Sequence, residues 1–191
     1  MMTFLRRASA GMLLLLAALV AWMLWPLPNE LAHPQPIASV TLLDRNGLPL
    51  RTTRSPEGAR AGWLPIEQMD PDVMRAFVAA EDQRFYEHNG VDLQSLLRAL
   101  RDNVVNRKVV SGASTITMQT ARLLTNTDRS LSGKVKQMLW ALRLDAQLDK
   151  NAILEAYLNR VPLGEGTVGV PAAASLYFQA SAADLSRGQA A

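Results

Sequence analysis

Two polar segments carry the residue types that catalysis in a polar cleft requires. The first covers residues 81–90 and opens with two carboxylates, Glu81 and Asp82. The second covers residues 111–119 and is rich in hydroxyl and amide side chains. A carboxylate can accept a proton as a general base, while hydroxyls and amides can hydrogen-bond a polar substrate. Together the two segments are able to line a catalytic cleft.

In order and spacing, these segments resemble motifs of the peptidoglycan glycosyltransferases (glycosyltransferase family 51). That family forms the N-terminal domains of class A penicillin-binding proteins, and the likeness here is greatest to the 1C subtype. It covers residues 37–191. The resemblance implies a mostly α-helical, lysozyme-like domain that polymerises a lipid-linked disaccharide-peptide precursor and releases undecaprenyl pyrophosphate.

The resemblance also implies roles for individual residues. Glu81 matches the catalytic base, which would deprotonate the 4-hydroxyl of the acceptor sugar. Other matching positions would bind sugar, phosphate or the departing pyrophosphate, and they are Asp82, Phe85, His88, Ser114, Thr115, Gln119, Arg122 and Lys134. A divalent ion, Mg²⁺ or Mn²⁺, would bridge the pyrophosphate and Asp82 or Glu81, and no organic cofactor is expected.

Two further motifs complete the likeness. The third motif of the family usually ends in a Glu, where this chain has Gln137, which can hydrogen-bond but cannot protonate a leaving group. The fourth motif supplies Glu155 and Asn159, which we expect to stabilise the fold near the cleft.

Simpler interpretations of the same residues stay open. Glu81 ends an apolar helix that could hold it half-buried, but it could equally be a surface Glu. His88 is expected to orient its loop, and residues 111–119 could be an ordinary Ser/Thr-rich helix start. Between Arg98 and Arg143 there are nine cations and two acids. This excess fits a solvated basic face, or a face that attracts anionic lipid headgroups or a lipid-linked pyrophosphate.

The N-terminus predicts a membrane anchor. Residues 8–25 contain no charged side chain, and Arg6 and Arg7 precede them. About eighteen helical residues span roughly 27 Å, close to the hydrocarbon thickness of a bilayer. We expect residues 1–7 in the cytoplasm and the domain on the periplasmic or outer face of the bacterial inner membrane. A cleaved signal peptide is the alternative.

The remaining sequence predicts one domain behind a linker. Residues 26–36 hold four prolines and are expected to form an extended tether. A β-hairpin is predicted over residues 37–52, with its turn at Asn46-Gly47. Helices are predicted to begin at Pro71, after Asp92, at Ser132, at Asn151, at Pro171 and near Ser181. The 191 residues contain no cysteine, which excludes disulfides and thiolate metal sites.

Alternatives to glycosyl transfer follow from the ends of the likeness. The resemblance implies that the family's domain continues past residue 191, so we expect an incomplete domain. Neither Ser-x-x-Lys nor Lys-Thr-Gly occurs in the chain, and a transpeptidase would be a separate partner. The other hypotheses are an inactive, membrane-anchored binder and a lysozyme-like hydrolase. No nucleic-acid partner is expected.

Overall fold

The computed structural model describes residues 2–47, 49–55, 58–107, 112–128 and 130–190. It begins with helix α1 (Met2–Leu24) and a single-turn helix α2 (Asn29–Ala32). Within the described residues, no helix is both long enough and apolar enough to cross a bilayer. The membrane-spanning segment expected over residues 8–25 therefore stays a prediction.

The segment predicted to be a free tether is packed against the domain. Leu27 and Leu31 are buried in a cluster with Leu144 and other apolar side chains. Arg143 donates hydrogen bonds of 3.0 Å to the carbonyl oxygens of Trp25 and Pro26. The prediction of an extended linker over residues 26–36 is wrong for this part. Burial of the apolar side chains of Leu27 and Leu31 stabilises the packed arrangement.

Two small sheets follow. Strands β1 (Thr41–Leu43) and β2 (Pro49–Thr52) form the predicted antiparallel hairpin, although both are shorter than expected. Among the described residues of the turn, Gly47 has a positive φ and Asn46 does not, and the Asp44 carboxylate accepts a hydrogen bond from the amide of Asn46. Leu48 lies outside the described residues. A second sheet, which the sequence did not predict, pairs β3 (Arg60–Ala61) with β4 (Thr167–Val168) in parallel.

Helices α3 and α4 begin at the predicted caps. A short 3₁₀ turn (Ile66–Gln68) leads into α3 (Pro71–Glu81), whose N-cap Asp70 accepts from the amide of Asp72 at 2.7 Å. Asp92 caps α4 (Leu93–Asn106) in the same way. The apolar face of α4 is largely uncovered, since Leu93, Leu97, Leu100 and Val104 are each more than half exposed and Leu96 is partly buried. Periodicity identifies an apolar face and not what covers it.

The centre of the domain is formed by α5 (Ile116–Thr125), α6 (Leu131–Gln147) and α7 (Lys150–Leu158), with α5 packed against both others. The predicted start of α6 at Ser132 is one residue late, because Ser130 caps the helix and Leu131 is its first residue. Similarly, Asp149 caps α7 two residues before Asn151. These side chains reach the third amide of the helix, which fixes each start.

The C-terminal part is made of short turns. Helix α8 (Val170–Ala173) continues into a π-helical turn (Ala174–Phe178), and α9 spans Arg187–Ala190. The start predicted near Ser181 is wrong, since residues 182–184 form a turn there. The molecule is thus mostly helical, as predicted. Its main core lies between α3, α5 and α7 and contains the fully buried Phe85, Ile116 and Leu154.

Candidate active site

Glu81 lies where several helices converge, at the last residue of α3. Its carboxylate oxygen Oε2 accepts a hydrogen bond of 2.7 Å from the side-chain amide of Gln119 on α5. The side chain is exposed, so the expectation of a half-buried carboxylate is wrong. Exposure follows from its position, because the helix ends at Glu81 and the chain turns away at Asp82.

A cleft of about 350 Å³ opens beside this carboxylate. Two cations from different helices, Arg122 of α5 and Lys134 of α6, line it together with Glu81. Lys134 donates a hydrogen bond to the hydroxyl of Ser114. Burial lowers the pKa of the Lys134 ammonium, and the neighbouring Arg122 guanidinium lowers it further. Two adjacent cations whose charges repel favour an anion between them. We call this space the cationic cleft; its remaining lining residues are Gly112, Gln119 and Gln137.

Glu81 also lines a second polar cleft of about 400 Å³. This cleft shares Glu81, Gly112 and Ser114 with the cationic cleft, and it adds Arg84, Arg98 and Ser95. The carboxylate therefore borders two polar spaces at once. A base in this position can face a hydroxyl bound in one cleft while charge develops in the other.

Asp82 is a structural residue in this arrangement. It is buried, and its carboxylate accepts hydrogen bonds from Nε2 of His88 at 3.0 Å and from the backbone amide of Ile116 at 3.0 Å. These bonds join the loop after α3 to the start of α5. The interpretation of His88 as a residue that orients its loop agrees with this contact.

The donors around Glu81 and Asp82 do not fit a metal site formed by the protein alone. Both oxygens of Asp82 lie within 3.1 Å of His88 Nε2, and one oxygen of Glu81 is bound to Gln119. Among the described residues, no group of three or more His, Cys, Asp or Glu side chains could hold an ion. A requirement for Mg²⁺ or Mn²⁺ stays a prediction.

Two residues expected to touch the substrate are buried instead. Phe85 has no exposed surface and packs in the main core, with the ammonium of Lys150 at 4.7 Å from its ring centre. Thr115 caps α5: its hydroxyl accepts from the amide of Met118 at 3.0 Å and donates to the carbonyl oxygen of Gly90 at 2.6 Å. Phe85 therefore supports the site through core packing, and the Thr115 hydroxyl serves as a helix cap, although Thr115 also lines a polar cleft next to Glu81.

The remaining predicted positions, Gln137, Glu155 and Asn159, also hydrogen-bond to the backbone. Gln137 lines the cationic cleft, but it is nearly buried and its amide donates to the carbonyl oxygen of Asp128 at 3.0 Å. Glu155 and Asn159 hold the backbone before α3, through the amides of Ile66 at 2.8 Å and Leu64 at 2.9 Å. The expected structural role of both residues agrees with these bonds.

The basic stretch separates into distinct groups. Arg122 and Lys134 belong to the cationic cleft, and Arg98 lines the second cleft. Arg143 is buried, with its guanidinium 4.6 Å from the ring centre of Trp22. Lys108 and Arg129 lie outside the described residues. These cations therefore do not form the single basic face that was considered from the sequence.

One residue near the site had no predicted role. The hydroxyl of Tyr157, on α7, lies 3.4 Å from the amide oxygen of Gln119. A tyrosine on a buried face is itself a signal, because its hydroxyl needs a partner inside the protein.

Comparisons with known proteins agree with this arrangement. Residues 46–191 match the transglycosylase family. The chain is 38% identical over 184 residues to penicillin-binding protein 1C of Escherichia coli, covering 96% of the chain and 23% of that protein. It is 34% identical over 193 residues to the biosynthetic peptidoglycan transglycosylase of Thiobacillus denitrificans, covering 100% of the chain and 83% of that protein. The chain therefore belongs to the transglycosylase family.

Proposed function

We propose that this chain is a peptidoglycan glycosyltransferase, which joins lipid-linked disaccharide-peptide units into glycan strands. Two of its relatives are named as a peptidoglycan transglycosylase and a penicillin-binding protein, which supports this substrate class. The observation that carries the proposal is that Glu81 lines two polar clefts and shares one of them with Arg122 and Lys134.

The geometry supports an inverting displacement. Glu81 takes the proton of the acceptor's 4-hydroxyl as that oxygen forms a bond to the anomeric carbon of the growing chain. The bond between the same carbon and the pyrophosphate oxygen breaks, and the leaving group keeps the electron pair. Arg122 and Lys134 face the negative charge that develops on the pyrophosphate. Because a pyrophosphate whose charge is matched leaves readily, Gln137 need not supply a proton.

Gln119 has a defined part in this scheme. Its amide donates to Glu81, which holds the carboxylate in one orientation and leaves the other oxygen free for the acceptor hydroxyl. The bond joins α3 to α5, so the base is positioned by helices and not by a loop.

A membrane location completes the proposal. The substrate carries a lipid, and the uncharged residues 8–25 after Arg6 and Arg7 support an anchor in the inner membrane. Cell fractionation with a high-salt and alkaline wash should leave the protein in the membrane pellet with its N-terminus intact. A soluble form that starts between residues 26 and 37 would instead identify a cleaved signal. Pairing with a separate transpeptidase stays a prediction.

The test of the reaction uses lipid-linked precursor in detergent. Glu81→Gln should lower the polymerisation rate at least about a hundredfold while precursor binding is kept, because a general base acts mainly in the transition state. Glu87→Gln is the matched control, since Glu87 is exposed on the following loop. Retention of more than about a tenth of the rate by Glu81→Gln would remove Glu81 from this role. Cleavage of finished strands, without polymerisation, would indicate a hydrolase.

A further inference from the structure

The side chain of Gln119 lies between two hydrogen-bond partners from different helices. Its amide nitrogen Nε2 donates to Oε2 of Glu81 at 2.7 Å. Its amide oxygen Oε1 accepts from the hydroxyl of Tyr157 at 3.4 Å. The three residues thus form a continuous chain of hydrogen bonds from α7 through α5 to the end of α3.

The chemistry of these groups permits only one direction for the chain. An ionised carboxylate can only accept hydrogen bonds, so Gln119 must present its nitrogen to Glu81. Its oxygen then faces Tyr157, which has a hydrogen to donate. If the amide rotated by half a turn, its oxygen would lie against the carboxylate and two acceptors would repel each other. The hydroxyl of Tyr157 therefore favours the amide orientation that suits Glu81.

Tyr157 is suited to this task because its ring is packed in the core and its hydroxyl keeps its proton. It is 1% exposed, lies in the main core and packs edge-on against Phe77, with ring centres 6.2 Å apart. Burial raises the pKa of the Tyr157 hydroxyl well above its usual range, and the charge of Glu81 raises it further. It remains a donor at every pH at which the enzyme would work.

We propose that Tyr157 is a positioning residue for glycosyl transfer, which acts on Glu81 through the amide of Gln119. The proposal rests on the base role of Glu81 proposed above. Tyr157 itself does not line either polar cleft as the structure describes them. Its effect is on the orientation of the carboxylate, so it should influence turnover and not precursor binding.

The variant Tyr157→Phe tests the idea directly, because it removes the hydroxyl and keeps the ring that packs against Phe77. One neutral hydrogen bond corresponds to roughly a fivefold change in rate. We expect kcat to fall about fivefold, with KM changed less than about twofold. Tyr86→Phe is the matched control, since Tyr86 is 58% exposed and lines neither polar cleft. It should keep the wild-type kcat.

A double-mutant cycle separates this role from a general packing role. Gln119→Met removes the middle of the chain with a side chain of similar length, and it should lower kcat at least as much as Tyr157→Phe does. In the Gln119→Met background, Tyr157→Phe should have no further effect on kcat, because the link through which it acts is already absent. Thermal unfolding of every variant shows whether each is folded at the assay temperature.

Three results would overturn the proposal. They are an unchanged kcat in folded Tyr157→Phe, an unchanged kcat in Gln119→Met, and a full additional loss when both changes are combined. The second of these applies even if Tyr157→Phe does not fold. Failure of the proposed function is a separate outcome, since it would appear as absent polymerisation by the wild-type chain or as an active Glu81→Gln variant.

Discussion

Replacing Asp82 by Asn should destabilise the domain, because the carboxylate serves two buried donors at once. In the wild type it accepts from Nε2 of His88 and from the amide of Ile116, each at 3.0 Å. An asparagine has the same shape but only one acceptor oxygen. If that oxygen keeps the bond to Ile116, the new NH₂ group points at His88.

His88 could adapt only at a cost. Its Nε2 would have to become an acceptor, which moves the ring proton to Nδ1. That atom is buried and has no hydrogen-bond partner among the described residues. An unsatisfied buried N–H costs about 1 to 3 kcal/mol, and replacing bonds to a charged acceptor by neutral ones costs about 1 kcal/mol more. The expected loss is roughly 2 to 4 kcal/mol of a total stability of about 5 to 15 kcal/mol.

Urea denaturation measures this loss. We expect a lower midpoint with an unchanged slope, which would show that native stability has changed and not the unfolded state. Asp72→Asn is the matched control, because Asp72 lies on the helix that Asp82 follows and pairs with the exposed Arg75 and Arg187. That change should cost less than about 1 kcal/mol.

Two outcomes would refute this reasoning about Asp82. If Asp82→Asn were no less stable than Asp72→Asn, the buried contacts would carry little energy. If Asp82→Asn were stable but inactive, the residue would act directly on the substrate or on a metal, as the family resemblance implies. Loss of activity in proportion to loss of stability is the expected result.

The remaining predictions concern three other parts of the molecule. Gly90→Ala should lower the free energy of unfolding, measured by urea denaturation, by about 2 to 4 kcal/mol. The φ of Gly90 is +79°, and the new methyl group would lie 2.5 Å from the carbonyl oxygen of Ala141. Gly112→Ala is the control and should leave stability unchanged, because its new methyl group meets nothing within 4 Å. As pH rises, Lys134 should lose its proton earlier than an ordinary lysine, so KM for the precursor should rise at alkaline pH. Lys134→Arg should remove that rise, because arginine keeps its charge. Identical KM profiles in the two proteins would contradict this prediction. Leu31→Ala should lower the free energy of unfolding by about 2 to 3 kcal/mol if residues 26–32 are part of the domain. An unchanged urea midpoint would instead support an extended tether in this segment.

Local signals in the sequence predicted most helix starts and the family motifs. Asp70 and Asp92 cap their helices as expected, since a cap is a contact between residues two or three positions apart. The motifs themselves are also short and local, so the sequence was sufficient to identify Glu81 and Gln119 as candidate site residues. Errors of one residue at α6 and α7 arose where a nearby Ser or Asp offered an equally good cap.

The tertiary structure decided which of the motif residues face the clefts. Phe85 and Thr115 belong to the same motifs as Glu81 and Gln119, yet packing buries Phe85 in the core and Thr115 at the edge of the second cleft, whereas Glu81 and Gln119 line the cationic cleft. Leu27 and Leu31 pack on α6, more than one hundred positions later in the chain. The hydroxyl of Tyr157 contacts Gln119, which lies 38 positions earlier in the chain. Contacts of this kind depend on how the helices pack against one another, and periodicity along the chain records only which face of each helix is apolar.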